Sequence, residues 1–430
     1  MEKIFITGMG IVSAIGNNVA ETMQSLQEKR SGISIIKYLK TAHTEFPVGE
    51  VKMSNEEMMS ILQIPENQTI TRTSLMGMLA VREALKSAGI KRNTFPKRVT
   101  FINGTTVGGM DKSEQFYQDF LKNDTRNAYI AMHDCGACTE MIADYFSIFT
   151  QVSTVSTACS SAANAILLGA ELLKSARADI VVAGGSECIT KFHLNGFNTL
   201  MILDKEKCRP FDATRAGLNL GEGAAYVVME RANSTRITQM QQIFTDKNKK
   251  NNPYLSVKSV LSVCQNKPLA ELSGYANTCD AYHQTASSPE GEGAFLAMKQ
   301  ALENAGLQPS DITYINAHGT GTQNNDLSEG VAIQRLFGEK IPPVSSTKAF
   351  TGHTTSAAGG VEAVISILAL QNNFIPANLN FEHKIDELRF APYTEKRNTF
   401  PKRVTLNHIL SNSFGFGGND TSLVFSKLCE

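Results

Sequence analysis

Charge of either sign is not in excess in this 430-residue chain: 41 basic side chains are balanced by 41 acidic ones, for a formal net charge of +0. That balance provides no overall field to hold nucleic acid or an anionic membrane. Long hydrophobic runs are missing as well. No apolar stretch approaches the ~18–20 residues that span a bilayer, and the opening MEKIFITGMGIVSAIG lacks the layout of a cleavable secretory signal, so a soluble, cytoplasmic protein is expected. The 8 cysteines are scattered, and a chain of this size folds without disulfide staples, so reduced thiols are expected. One CxxC exists, Cys135 and Cys138 in DCGAC, with no second pair nearby. No metal site is expected there, and the helical continuation TEMIADYF points to core packing.

What is present is a 42% hydrophobic content, enough for one large core or two coupled ones. KIFIT at 3–7 reads as a buried strand ending in the turn GMG, before a helix. The turn imitates a dinucleotide fingerprint loosely: Gly8 and Gly10 are in place, but Ser13 stands where the third glycine belongs. Helix 71–88, strand 98–103, a helical stretch to 122, strand QVSTVST, helix 160–176, strand 179–184 and strand 221–230 follow. Residues 231–253 are polar and charged and read as a linker. A second series then runs through strand YLSVKSVLSV, helix 291–305, strand ITYINA, helix 325–337, strand PPVSST, helix 356–371 and the closing pair HILSNSF and TSLVFSK. Alternating strands and helices predict an α/β layered fold in two related halves, 1–250 and 251–430. KRNTFPKRVT recurs unchanged at 91–100 and 396–405; it is assigned no function.

Four stretches carry chemistry. VSTACSSAANAI places Cys159 between a strand and a helix, where helix-end N–H groups and the dipole favour a thiolate, although a buried inert cysteine would read the same. NAHGTGTQNND and SSTKAFTGHTTSAAGG place His318, Lys348 and His353 in Gly/Thr-rich loops after probable strands, where α/β folds gather catalytic groups. SNSFGFGGNDTSLVF alternates Phe and Gly between two strands, giving a backbone able to approach a ligand and a ring able to swing, or else a glycine-rich hairpin with two core rings.

Taken in order, TACSSA, CRPFDATRAGLNLGEGA, NAHGTGT, SSTKAFTGH and NSFGFGGND resemble the β-ketoacyl-acyl-carrier-protein synthases of the elongating, condensing type, nearest in style to synthase II and to polyketide or aryl-polyene ketosynthases. The resemblance implies a thiolase-type duplication, two βαβαβαββ halves forming a five-layer αβαβα sandwich. It implies an acyltransferase in which Cys159 accepts an acyl chain, while His318 and His353 hold a malonyl thioester as it loses carbon dioxide. Lys348 and Glu362 would support the histidines, and the backbone N–H groups of Cys159 and Phe416 would form an acyl oxyanion hole, with Phe416 also a gate. Phe197 and Val107 would lie near the acyl pocket, and Thr320 and Thr322 would contact pantetheine. No cofactor is expected on the enzyme, since substrates ride on the phosphopantetheine of an acyl carrier protein. A homodimer, or a heterodimer with a chain-length-factor-like subunit, is implied.

Two departures bear on docking. Met201 stands where such synthases often carry an arginine, and ILQIPENQTITR has Arg72 as its one basic residue, with Arg126 the nearest candidate to compensate. The thin basic cover bears on which carrier docks and how, while the Met201 departure and the HGTGTQNND wording lean the expectation toward a specialised pathway rather than bulk fatty-acid synthesis. A silent chain-length subunit is disfavoured because Cys159, His318, His353 and Lys348 are all kept. A thiolase is disfavoured because Cys264, Cys279 and Cys429 lie outside the closing glycine-rich stretch, and a synthase III because His353 fills the second histidine position.

Overall fold

The computed structural model describes residues 2–90, 98–123, 127–233, 267–394 and 405–428. The first half supplies β1 (Ile4–Ser13), α1 (Val19–Gln27), α2 (Asn55–Leu62), α3 (Arg72–Ser87), β2 (Val99–Gly104), α4 (Met110–Asn123), α5 (Asn127–Ala131), α6 (Cys135–Phe146), β3 (Gln151–Val155), α7 (Ser161–Lys174), β4 (Ile180–Glu187), α8 (Lys191–Thr199) and β5 (Gly223–Arg231). The second supplies β6 (Ala270–Cys279), α9 (Glu292–Ala305), β7 (Tyr314–Asn316), α10 (Gln323–Phe337), β8 (Val344–Ser345), α11 (Lys348–Thr351), α12 (Ala358–Asn372), β9 (His408–Gly415) and β10 (Asn419–Ser426).

Among the described residues the strands run in the order β3-β2-β4-β5-β1-β6-β10-β9-β7-β8. Counted within each half from the sheet's outer edge inward, that order is third, second, fourth, fifth, first in both. β2 lies parallel to β3 and β4, and β7 parallel to β8 and β9. The fifth strand of each half, β5 or β10, runs antiparallel between the fourth and the first. The halves join where Ile4–Ile6 of β1 face Leu272–Ala270 of β6.

Period-two side-chain alternation then feeds separate cores. Ala225, Val227 and Met229 of β5 point into a central core with Ile166 of α7 and Val361, Val364 and Leu368 of α12. Tyr226 and Val228 point the other way, onto Leu75, Met76 and Leu79 of α3. In the second half Leu423 and Phe425 join the central core, while Val424 packs with Ala297, Met298 and Ile333 outside. Helices α7 and α12 touch each other and strands of both halves, with α3 on one outer face and α9 on the other. This is the expected layer order, α-β-α-β-α. Every residue of α12 from Ala358 to Leu370 is buried, so Glu362 needs a partner inside.

Two expectations change. β1 does not stop at GMG but continues to Ser13. Gly8 and Gly10 are strand residues against which α3 packs: a Cβ on either would sit 2.4 Å from Ala84 O or 2.1 Å from Ala80 O. They serve helix–strand contact, not a phosphate turn. β6 was not expected, because AELSGYANTC mixes small and polar residues with few large apolar ones. The Cys135–Cys138 pair begins α6, and Cys138 is core, accepting a 3.3 Å hydrogen bond from Ser74 Oγ. The strand YLSVKSVLSV, the 250/251 boundary, Arg126, Cys264, Cys429 and, of the two KRNTFPKRVT copies, residues 91–97 and 396–404 fall outside the described residues.

Candidate active site

Cys159 sits in a strand-to-helix elbow between β3 and α7. Ala158 before it has φ +50°, a left-handed conformation rare for a residue with a Cβ. Hydroxyl side chains lace the turn in place: Ser161 Oγ donates to Ala158 O at 2.6 Å and Ser160 Oγ to Thr157 O at 2.7 Å. Asn419, at the far end of the chain, accepts from Ser160 Oγ and Asn164 Nδ2, both at 2.8 Å. Small residues permit the elbow and polar ones fix it. Cys159 is 6% exposed, and burial pushes its thiol up to about 11, against the thiolate that the helix end favours. The Lys348 charge and a hydrogen bond from the Phe416 backbone N–H pull the other way but do not outweigh burial.

His318 follows β7, with its loop clipped to α10. Its own N–H and that of Gly319 donate to the two Glu329 oxygens at 2.9 and 2.8 Å, and Asn412 Nδ2 donates to the same carboxylate at 3.0 Å. Lys348, at the start of α11, places Nζ 3.1 Å from His318 Nδ1 and 2.6 Å from His318 O, and pairs with Glu362 of α12. Both members of that pair are buried. An ammonium only donates, so Nδ1 of His318 accepts and its proton resides on Nε2. Burial pushes Glu362 and Glu329 up to about 7, against the pull of Lys348 on the first and of backbone N–H donors on the second.

His353 follows Gly352 and places Nε2 3.1 Å from Cys159 Sγ. Its Nδ1 is buried with no hydrogen-bond partner among the described residues. The His318 and His353 rings stand 5.2 Å apart at 84°. Burial and the Lys348 charge drive both well below the ordinary imidazole range, so both rings are neutral near pH 7.

A cavity of about 440 Å³ joins these groups. Cys159, His318, His353, Thr320, Thr322, Phe197 and Phe416 all line it. The two threonine hydroxyls lie 2.9 Å apart, and the Phe197 and Phe416 rings stack at 5.8 Å and 22°. Lys348 and Glu362 lie outside the lining, supporting His318. Val107 is not brought to this cavity; it packs in the first half's outer core with Leu75 and Cys138. Met201 is on the rim and 87% exposed. Cys279 comes within 3.9 Å of Gly417 O, beside the glycine-rich loop, but does not line the cavity.

Sequence reading missed Glu329 and Asp326, whose carboxylates hold His318, Gly319, Gly321 and Phe211 by their backbone N–H groups. Their signal was available: two acids, 8 and 11 residues past His318, that α10 turns inward. Glu187, a buried carboxylate at the end of β4, was missed too. No group of three His, Cys, Asp or Glu placed to hold a metal ion occurs among the described residues, and no helix there is long and apolar enough to cross a membrane.

Comparison with known proteins identifies the family of the chain. The family model "Beta-ketoacyl synthase, N-terminal domain" matches residues 1–235, and "Beta-ketoacyl synthase, C-terminal domain" matches 269–382. The 3-oxoacyl-[acyl-carrier-protein] synthase 2 of Staphylococcus aureus (strain COL) is 31% identical, over 99% of this chain and 98% of its own. Its counterpart in Coxiella burnetii is 32% identical over 100% of both. Among solved structures, the ishigamide ketosynthase/chain length factor superposes with a TM-score of 0.84 at 26% identity, covering 100% of both chains. The ketosynthase ApeO in complex with its chain length factor ApeC, from Xenorhabdus doucetiae, gives 0.77 at 28%, covering 99% of this chain and 98% of that one.

Proposed function

Because the chain belongs to the β-ketoacyl synthase family, and is a condensing ketosynthase and hence an acyltransferase, we propose that Cys159 is its acyl acceptor and His318 and His353 its decarboxylation site. The observation that carries this reading is the 3.1 Å approach of His353 Nε2 to Cys159 Sγ, in one cavity with a His318 whose proton Lys348 confines to Nε2.

In the first half-reaction Cys159 Sγ attacks the acyl thioester carbonyl. Its proton passes to His353 Nε2 and on to the departing pantetheine sulfur, so the thiol need not ionise beforehand. Gly415 backs the elbow closely, and the N–H groups of Cys159 and Phe416 receive the oxyanion. In the second, the malonyl thioester oxygen accepts N–H from His318 and His353. The carboxylate bond breaks, carbon dioxide leaves, and its electrons become an enolate held by those donors, each contributing ~3 kcal/mol. The enolate carbon attacks the Cys159 thioester, and the cysteine sulfur leaves as a thiolate that takes up a proton from water, the one proton the condensation consumes. With Nδ1 unpartnered, His353 is free to accept at Nε2 in one step and donate there in the other.

Thr320 and Thr322 suit the amide-rich pantetheine arm of an acyl carrier protein, and no bound cofactor is required. The exposed Met201 at the rim, in place of a basic residue, supports a specialised polyketide or aryl-polyene-type pathway in the cytoplasm. The structural relatives named with a chain length factor support a dimeric assembly of that kind, or a homodimer. To test the reading, purified protein is given malonyl carrier and a series of acyl carriers. One carbon dioxide per two-carbon extension is expected; absence of both products across the series would sink it. If loss of the protein stops bulk fatty-acid elongation, the specialised pathway is wrong.

A further inference from the structure

Thr355, two residues past His353, has φ +45°. A β-branched residue avoids this left-handed region, and such strain persists only where the surroundings over-determine it. Here the Thr355 hydroxyl donates to Glu187 Oε1 at 3.3 Å. Glu187 is fully buried and firmly held by the first half of the chain. Its carboxylate accepts from Thr105 Oγ1 at 2.7 Å, from the Thr106 N–H at 3.0 Å and from the Val107 N–H at 3.3 Å, and His193 Nε2 lies 3.8 Å away. Thr355 thus ties the loop after His353 to a rigid anchor in the other half.

That tie matters because, among the described residues, the His353 ring has no hydrogen-bond partner on Nδ1 to orient it. Its direction follows from its backbone, which is fixed on the near side: His353 N–H donates to Asn219 O at 2.7 Å and Gly221 N–H to His353 O at 2.9 Å. Gly352 before it has φ +73°, where a Cβ would meet Leu220 O at 2.6 Å. On the far side the fixed point is Thr355.

We propose that Thr355, latched to Glu187, is a positioning residue that aims His353 Nε2 at Cys159 and at the malonyl carbonyl. The proposal rests on His353 being part of the decarboxylation site. Three variants separate strain from latch: Thr355→Val loses the hydroxyl at constant shape, Thr355→Ser keeps it, and Thr355→Gly loses it while relieving the backbone. Malonyl-carrier decarboxylation is measured as kcat and KM, alongside the thermal midpoint and a His353→Ala control. The Val and Gly variants are expected to lose at least about tenfold in kcat with KM unchanged, as for a small misplacement of a reacting group. The Ser variant stays within about twofold. The Gly variant melts no lower than the parent, so its slowness is not instability. A Gly or Val variant decarboxylating at the parent rate overturns the latch, as does a Ser variant as slow as Val. A His353→Ala protein that decarboxylates normally overturns instead the assignment of His353 on which the latch depends.

Discussion

His318 and His353 share one cavity with rings 5.2 Å apart, yet the first is pinned through its side chain and the second through its main chain. Lys348 caps His318 Nδ1, Glu362 holds Lys348, and Glu329 grips the loop N–H groups. His353 has no hydrogen-bond partner on Nδ1 among the described residues; Gly352, Asn219 and Thr355 set its backbone instead. The difference teaches a division of labour. A pinned tautomer suits a constant N–H donor to the malonyl oxygen. An unpinned one suits a ring that must accept a proton from sulfur and later donate one to oxygen.

The strongest way to break the contrast is Lys348→Met. It frees the His318 tautomer and leaves Glu362 buried without its counter-charge, so decarboxylation should fall ~10²–10³-fold. Denaturant unfolding should show a loss of about 3–5 kcal/mol. A variant as stable and active as the parent contradicts the pinning. Next comes the sulfur. A thiol that burial pushes up to about 11 gives up its proton only as pH climbs toward that value. Alkylation of Cys159 by iodoacetamide should therefore rise about tenfold per pH unit from 7 to 10; a plateau near pH 8 would mean a resting thiolate. A smaller effect is expected from Gly415→Ala, whose Cβ would come 3.2 Å from Cys159 N, beside the proposed acyl oxyanion hole. Condensation should drop several-fold while malonyl decarboxylation holds; equal losses in both would place the oxyanion hole elsewhere. The smallest expected effect sharpens the comparison by its flatness. Both imidazoles are depressed, so they take up a proton only well below pH 6.5, and decarboxylation should not change between pH 9 and 8, above the range near 7 where Glu362 and Glu329 take up theirs. A decline over that range would mean that one ring is protonating.

The groups that meet in the cavity were legible because they stand in short motifs at strand ends, and the motifs arrive in one order. VSTACSSAANAI displayed the elbow in its small and hydroxyl residues, and the doubled strand-helix rhythm displayed the two halves. What stayed hidden depends on distance in space. Gly8 and Gly10 read as a turn because the α3 backbone they accommodate lies more than 60 residues away. The thiol read as ionised because the helix end is local, whereas the burial that outweighs it comes from both halves. Glu187 and Thr355 are ordinary letters until the fold sets them 3.3 Å apart across the halves. Val107 shows the converse: the resemblance places it near the acyl pocket, while its side chain packs in a core outside the cavity.

One measurement reaches all of this most directly: the mass of the Cys159 peptide after the protein meets an acyl carrier, and again after malonyl carrier follows. The peptide should gain one acyl group in the first step and lose it in the second, as the chain passes to the enolate, and Cys159→Ala should gain none. Acyl mass on another residue, or acyl mass on Cys159 that malonyl carrier does not discharge, would contradict it.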